Sequence, residues 1–145
     1  MSARAHFQAV FNRLNSDRVF EGNVVDIADP DYNPAGRKAP YLVLESDQGD
    51  PEYDALTNPI PTAFEFEFTL VYVGEDGNQC RAWADHAREL LLTGWQPEVA
   101  GWRPDRLQLA NSTKAAPDTS FTPTLIYGAD AMTLKTRPRK PPRKA

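Results

Sequence analysis

Phe64-Glu65-Phe66-Glu67-Phe68-Thr69-Leu70-Val71-Tyr72-Val73 carries apolar side chains at 64, 66, 68, 70 and 72, with Glu65, Glu67 and Thr69 between them. A strand turns successive side chains to opposite faces, so this alternation predicts a strand over 63–73. One face is greasy and the other begins acidic. The greasy face needs a covering layer, and the sequence supplies two candidates. Over residues 3–14, Phe7, Val10, Phe11 and Leu14 form a helical stripe, with Gln8, Asn12 and Arg13 outside it. Over about 78–92, Trp83, Ala87, Leu90 and Leu91 form a second, closed by Thr93-Gly94, where glycine turns easily into the left-handed region.

Working outward, Tyr41-Leu42-Val43-Leu44-Glu45 reads as a compact apolar strand after Pro40. Residues 18–27 suggest one or two short strands broken by Gly22, and residues 29–38 a loop. Residues 47–61 form a long acidic excursion, read as disordered or as a hairpin arm. Trp95 to Pro104 reads as an irregular link, Arg106-Leu107-Gln108-Leu109 as a strand, and Ala110 to Asp118 as polar and turn-like. Residues 120–127 and 131–136 read as a terminal strand pair joined through Gly128-Ala129-Asp130, with Pro123 placing its strand at an edge or bulge. The expected class is α+β: a mostly antiparallel or mixed sheet packed by two helices, with long loops and a disordered basic C-terminal tail. Residues 1–136 form the single domain of this reading and 137–145 the Pro-rich tail.

At 145 residues the chain suits one domain and can bury roughly two thirds of its unfolded surface, enough to fold without disulfides or metal. Its single cysteine, Cys80, excludes an internal disulfide and reads as a small, partly buried residue at a helix start. Met1 to Gln8 lacks the apolar segment of a signal peptide, and no apolar run approaches the roughly 20 residues of a membrane span. A soluble protein made in a cytoplasm is expected. The formal charge of −4 hides an asymmetry. Residues 135–145 hold six of the 16 basic side chains (Lys135, Arg137, Arg139, Lys140, Arg143 and Lys144), leaving ten against 20 acidic ones in the body. Such a split can mark an interaction tail.

Catalytic chemistry is hard to find in these residues. His6 and His86 fall on separate helices, and His86 shares a helix face with Glu89 as a solvated pair. No Cys/His spacing suits zinc, and no nucleophile elbow, Walker loop, dinucleotide fingerprint or zincin motif occurs. The carboxylates of Gly74-Glu75-Asp76-Gly77 repel phosphate. Asp47, Asp50, Glu52 and Asp54 do not follow the offsets of a calcium loop. No cofactor and no metal are expected. The basic tail could contact nucleic acid phosphates by counterion release, but it lacks interleaved aromatic residues for base stacking. A solvated, disordered end is the preferred reading, and docking on the acidic body of a neighbouring copy is a third. Glu65 and Glu67 are read either as solvated residues of an open sheet or as a subunit or channel surface.

The order of elements resembles the tail terminator (tail completion) proteins of long-tailed, non-contractile bacteriophages. The likeness rests on the opening helix with Phe7, Val10, Phe11 and Leu14, the Pro40-Tyr41-Leu42-Val43-Leu44 strand, and the long strand ending Leu70-Val71-Tyr72-Val73. The helix with Trp83-Ala84-Asp85-His86-Ala87-Arg88-Glu89-Leu90-Leu91 and the closing strands near 121–127 and 132–135 complete it. It covers most of residues 3–136; the basic tail and the 93–104 link have no counterpart in it. The resemblance implies a non-enzymatic virion protein assembled in the host cytoplasm. It implies a six-membered homo-oligomeric ring that caps the tail tube, meets the neck or head-completion protein, and lets DNA pass without specific binding. On that view Asp47, Asp50, Glu52, Asp54, Glu65 and Glu67 face the lumen or a subunit contact. Arg137, Arg139, Lys140, Arg143 and Lys144 would form a docking tail. A head–tail connector of similar plan, and a nucleic-acid-binding accessory protein acting through the basic tail, are the alternatives.

Overall fold

The computed structural model describes residues 3–34, 36–53, 59–120 and 124–139. In chain order the elements are α1 (Ala3–Asn15), β1 (Val24–Asp26), β2 (Tyr41–Ser46), β3 (Asp50–Glu52), β4 (Ala63–Gly74), α2 (Gly77–Leu92), β5 (Trp102–Pro104), β6 (Gln108–Asp118) and β7 (Leu125–Pro138). They form an α+β fold with one seven-stranded mixed sheet and two helices.

The alternating stretch becomes β4, at the centre of the sheet. On one side it pairs antiparallel with β2 and, further along, with β3; on the other it pairs antiparallel with β7 over its whole length, from Phe64 opposite Thr136 to Gly74 opposite Ile126. β1 adds to β2 in parallel. β6 and β5 lie in succession along the outer edge of β7.

The period of two sorts the side chains as expected. Phe64, Phe66, Phe68, Leu70 and Tyr72 are buried beneath Val10 and Leu14 of α1 and Cys80, Ala87 and Leu91 of α2. Phe66 is enclosed by rings, stacking on His6 with centroids 4.6 Å apart and flanked by Phe64 and Phe68. The opposite face has a smaller apolar cluster at one end only, where Tyr41, Val43, Val73 and Leu125 meet Ala39 and Tyr32 of the 27–40 loop. The rest of that face is open.

α2 starts where Asp76 accepts the backbone N–H of Gln79 at 2.7 Å, while the Gln79 side chain accepts the N–H of Glu75 at 2.8 Å. The first bond occupies an orphan donor of the helix start, and the second ties the preceding residue to it. It ends at Thr93, followed by Gly94 at φ 71°.

Several expectations are corrected. Gly128-Ala129-Asp130 is not a turn but the middle of one continuous strand, β7. Residues 110–118, expected to be turn-like, belong to β6, and the terminal hairpin pairs β6 with β7. The 95–104 link ends in a strand, β5. Residues 18–27 hold one strand, after Gly22. Of the two readings of the acidic excursion, its described part follows the hairpin arm: β3 pairs antiparallel with the start of β4, and Thr62 N–H bonds Glu52 O at 2.8 Å. β7 runs past residue 136, to Pro138. Pro123 lies outside the described residues.

Candidate assembly surface

The open face is built by β3, β4, β7 and β5. At this end the sheet is four strands wide, and among the described residues no further strand pairs with the outer side of β3 or of β5; on β5, Trp102 N–H bonds Val99 O at 3.0 Å and Pro104 O accepts Gln96 Nε2 at 2.6 Å. Glu65 and Glu67 of β4 point outward and are exposed. β3 brings part of the acidic excursion beside them: Asp50 stands opposite Glu65, and Glu52 opposite Ala63. Asp47 sits at the bend into β3, where its carboxylate accepts the N–H of Gly49 at 3.0 Å and its own N–H reaches Glu67 O. Four of the sequence-predicted acidic residues, Asp50, Glu52, Glu65 and Glu67, therefore share one face, with Asp47 at its border. Asp54 lies outside the described residues.

The same face turns basic toward β5. Lys135 is opposite Glu65, and Arg137 pairs with Arg103 of β5. Lys135 reaches across β4 to Glu52 at 3.5 Å, an exposed pair worth little in stability. Arg106 borders a small pocket of about 190 Å³ together with Glu65, Asp105 and Lys135. Arg103 and Arg106 were not singled out in the sequence. Their signal is positional, since only the β5–β7 register places Arg103 beside Arg137. Of the expected docking tail, Arg137 lies within β7. The backbone N–H of Arg139 bonds Gly101 O at 2.9 Å and its Nε bonds Trp102 O at 3.0 Å. Lys140, Arg143 and Lys144 lie outside the described residues.

Behind this surface, charged groups fasten the helices to the sheet. Asp130 of β7, 1% exposed, receives Arg88 Nε and Nη2 at 2.8 and 2.7 Å, the Tyr72 hydroxyl at 2.7 Å and the Ser112 hydroxyl at 2.7 Å. Burial pushes the Asp130 carboxyl up, but the bonds from Arg88, Ser112 and Tyr72 outweigh it and hold the group below the usual carboxylate range. Tyr72 is pushed up by burial and by Asp130. A cleft of about 520 Å³ opens beside this network between α2 and β6, bordered by Arg81, Ala84, Lys114 and Gly128.

The histidines do not form a site. His6 is buried and lies 3.0 Å from Thr136 Oγ1. His86 pairs with Asp17 at 2.8 Å, rather than with Glu89 as its helical spacing suggested. The turn after α1 brings Asp17 under α2, a tertiary contact that local spacing does not encode. Cys80 is free and buried, its thiol pushed up by burial. Among the described residues no group of three or more His, Cys, Asp or Glu side chains is placed to hold a metal ion, and no helix is long and apolar enough to cross a membrane.

No known family model matches the sequence, and no curated protein matches it. The fold has a counterpart among solved structures. It matches a chain from the structure described as the virion of a native gene transfer agent particle, with a TM-score of 0.66 over 93% of this chain and 96% of that one. The two sequences are 16% identical, so the likeness is one of fold.

Proposed function

We propose that this chain is a structural virion protein, a tail terminator that closes into a ring on the tip of a tail tube, stops its growth and offers a surface to the neck. The observation that carries the reading is the fold shared over nearly the whole length with a chain of an assembled virion particle. The open charged face supports it: a sheet face with opposite charges at its two sides suits contact with other subunits.

In this reading Asp47, Asp50, Glu52, Asp54, Glu65 and Glu67 lie at the lumen or at subunit contacts. Duplex DNA carries one phosphate charge per roughly 1.7 Å, and a cationic wall would hold it by counterion release. A wall with a net acidic character lets it slide. Arg137, Arg139, Lys140, Arg143 and Lys144 point to a neighbour or a docking partner.

The test is to add the purified protein to polymerising tail tubes and measure tube length by electron microscopy. A terminator caps the tips and shortens the length distribution at substoichiometric amounts. Unchanged tube lengths, with binding to the portal complex instead, would replace this reading by that of a head–tail connector.

A further inference from the structure

Two pairs of like charges stand directly opposite one another on neighbouring strands of the open face. Asp50 of β3 faces Glu65 of β4, and Arg103 of β5 faces Arg137 of β7. Like charges in directly opposed positions destabilise a sheet, because their Cβ atoms lie only about 5 Å apart. All four residues are exposed. Among the described residues, none of the four side chains makes an ion pair or hydrogen bond. Lys135, the nearest opposite charge to Glu65 in the register, reaches Glu52 instead.

The two pairs occupy opposite edges of the same end of the sheet. With strands about 4.8 Å apart, the acidic edge strand and the basic edge strand are separated by roughly 14 Å. Each edge is short and carries proline: Asp50-Pro51-Glu52 on one side, Trp102-Arg103-Pro104 on the other. Short, proline-bearing edges resist extension of the backbone ladder. What these edges offer a partner is charge.

We infer that the β3 edge of one copy of this chain docks against the β5 edge of the next, with Asp50 and Glu65 meeting the neighbour's Arg103 and Arg137. A contact between two different patches is heterologous, so it propagates head to tail and can close a ring. It relieves both repulsive pairs at once, which no ion pair among the described residues of one chain does. Glu67, one step further along β4, stays outside the joint and keeps its charge on the open face. The inference rests on the ring reading above and specifies its subunit joint.

Two charge-reversed proteins test it: one carrying Asp50→Lys and Glu65→Lys, the other Arg103→Glu and Arg137→Glu. Sedimentation velocity at low salt should show association of the unmodified protein and, for each reversed protein alone, association weaker by roughly tenfold or more. Mixing the two reversed proteins one to one should restore assembly, because every joint then pairs opposite charges around an even-membered ring. Far-ultraviolet circular dichroism checks that both fold. If either reversed protein alone associates like the unmodified one, if the mixture fails to recover, or if the unmodified protein stays monomeric at low salt, the inference is overturned. The tube-length assay separates this failure from that of the function: tubes capped by all variants leave the terminator standing without this joint. Charge-dependent assembly that caps no tubes leaves the joint without the terminator.

Discussion

Arg88 of α2 grips Asp130 of β7 side-on, Nε to Oδ2 at 2.8 Å and Nη2 to Oδ1 at 2.7 Å, so that a helix and a central strand are joined by one charged clamp. The two partners are unequally placed: the Asp130 side chain is 1% exposed and the Arg88 side chain 36%. Removing Arg88 strands a buried carboxylate with only hydroxyl donors. Removing the carboxylate's charge leaves an arginine that can turn to water. Arg88→Ala should therefore cost about 3 kcal/mol, and Asp130→Asn less, about 1–2 kcal/mol. Thermal or urea unfolding of both variants checks the order, and a larger loss for Asp130→Asn would contradict it.

The same clamp sets an acid limit. Asp130 is held below its ordinary pKa in the fold, and so is Asp17, where burial opposes but the bonds from His86 and Val19 prevail. A carboxyl whose folded pKa is depressed contributes its full stability above the unfolded value, about 3.9, and loses it as pH falls through the folded value. Stability measured by urea unfolding should decline as pH is lowered from about 5 into the range below 4. In Asp130→Asn that decline should be shallower. An equal slope in the two proteins would remove Asp130 from the account.

A local prediction concerns the start of α2. Asp76→Ala removes the acceptor for the Gln79 N–H, a bond of 2.7 Å at an exposed helix terminus. The expected cost is about 1 kcal/mol. Asp76→Asn or Asp76→Ser, which keep an acceptor, should recover most of it in the same thermal melt.

Which parts of this fold could be read in the sequence follows from which patterns are periodic. β4 alternates because helices cover one face and water most of the other, and both helices show apolar stripes. β6 shows no alternation because nearly all its residues are exposed. Its polar run reads as a turn, and only pairing with β7 makes it a strand. Within β7, Gly128-Ala129-Asp130 reads as a turn because glycine and aspartate are turn formers. Here each has a tertiary reason. A Cβ on Gly128 would sit 3.2 Å from Cys80 Sγ, so the strand passes close under α2. Asp130 is kept in the sheet by Arg88, 42 residues away. The acidic half of the open face was legible as Glu65 and Glu67. The basic half was not, since Arg103 acquires its place only through the β5–β7 register.

Gly49 links the core to the open face. It sits at φ +87° in the bend between β2 and β3, and a Cβ there would lie 2.6 Å from Phe66 Cε1. The Phe66 ring is 1% exposed and stacked on His6, so it has nowhere to retreat. Gly94 has a similar φ, +71°, with nothing within 4 Å of the same position. Gly94→Ala should lose only the backbone preference, about 1 kcal/mol. Gly49→Ala adds overpacking and should lose about 2–4 kcal/mol, a fall in Tm on the order of 10 °C. Because the bend sets where Asp50 meets Glu65, Gly49→Ala should also weaken self-association measured well below its Tm, while Gly94→Ala should not. Equal losses of stability in the two variants would mean that the Phe66 ring yields, and that the bend into β3 is not fixed by the core beneath it.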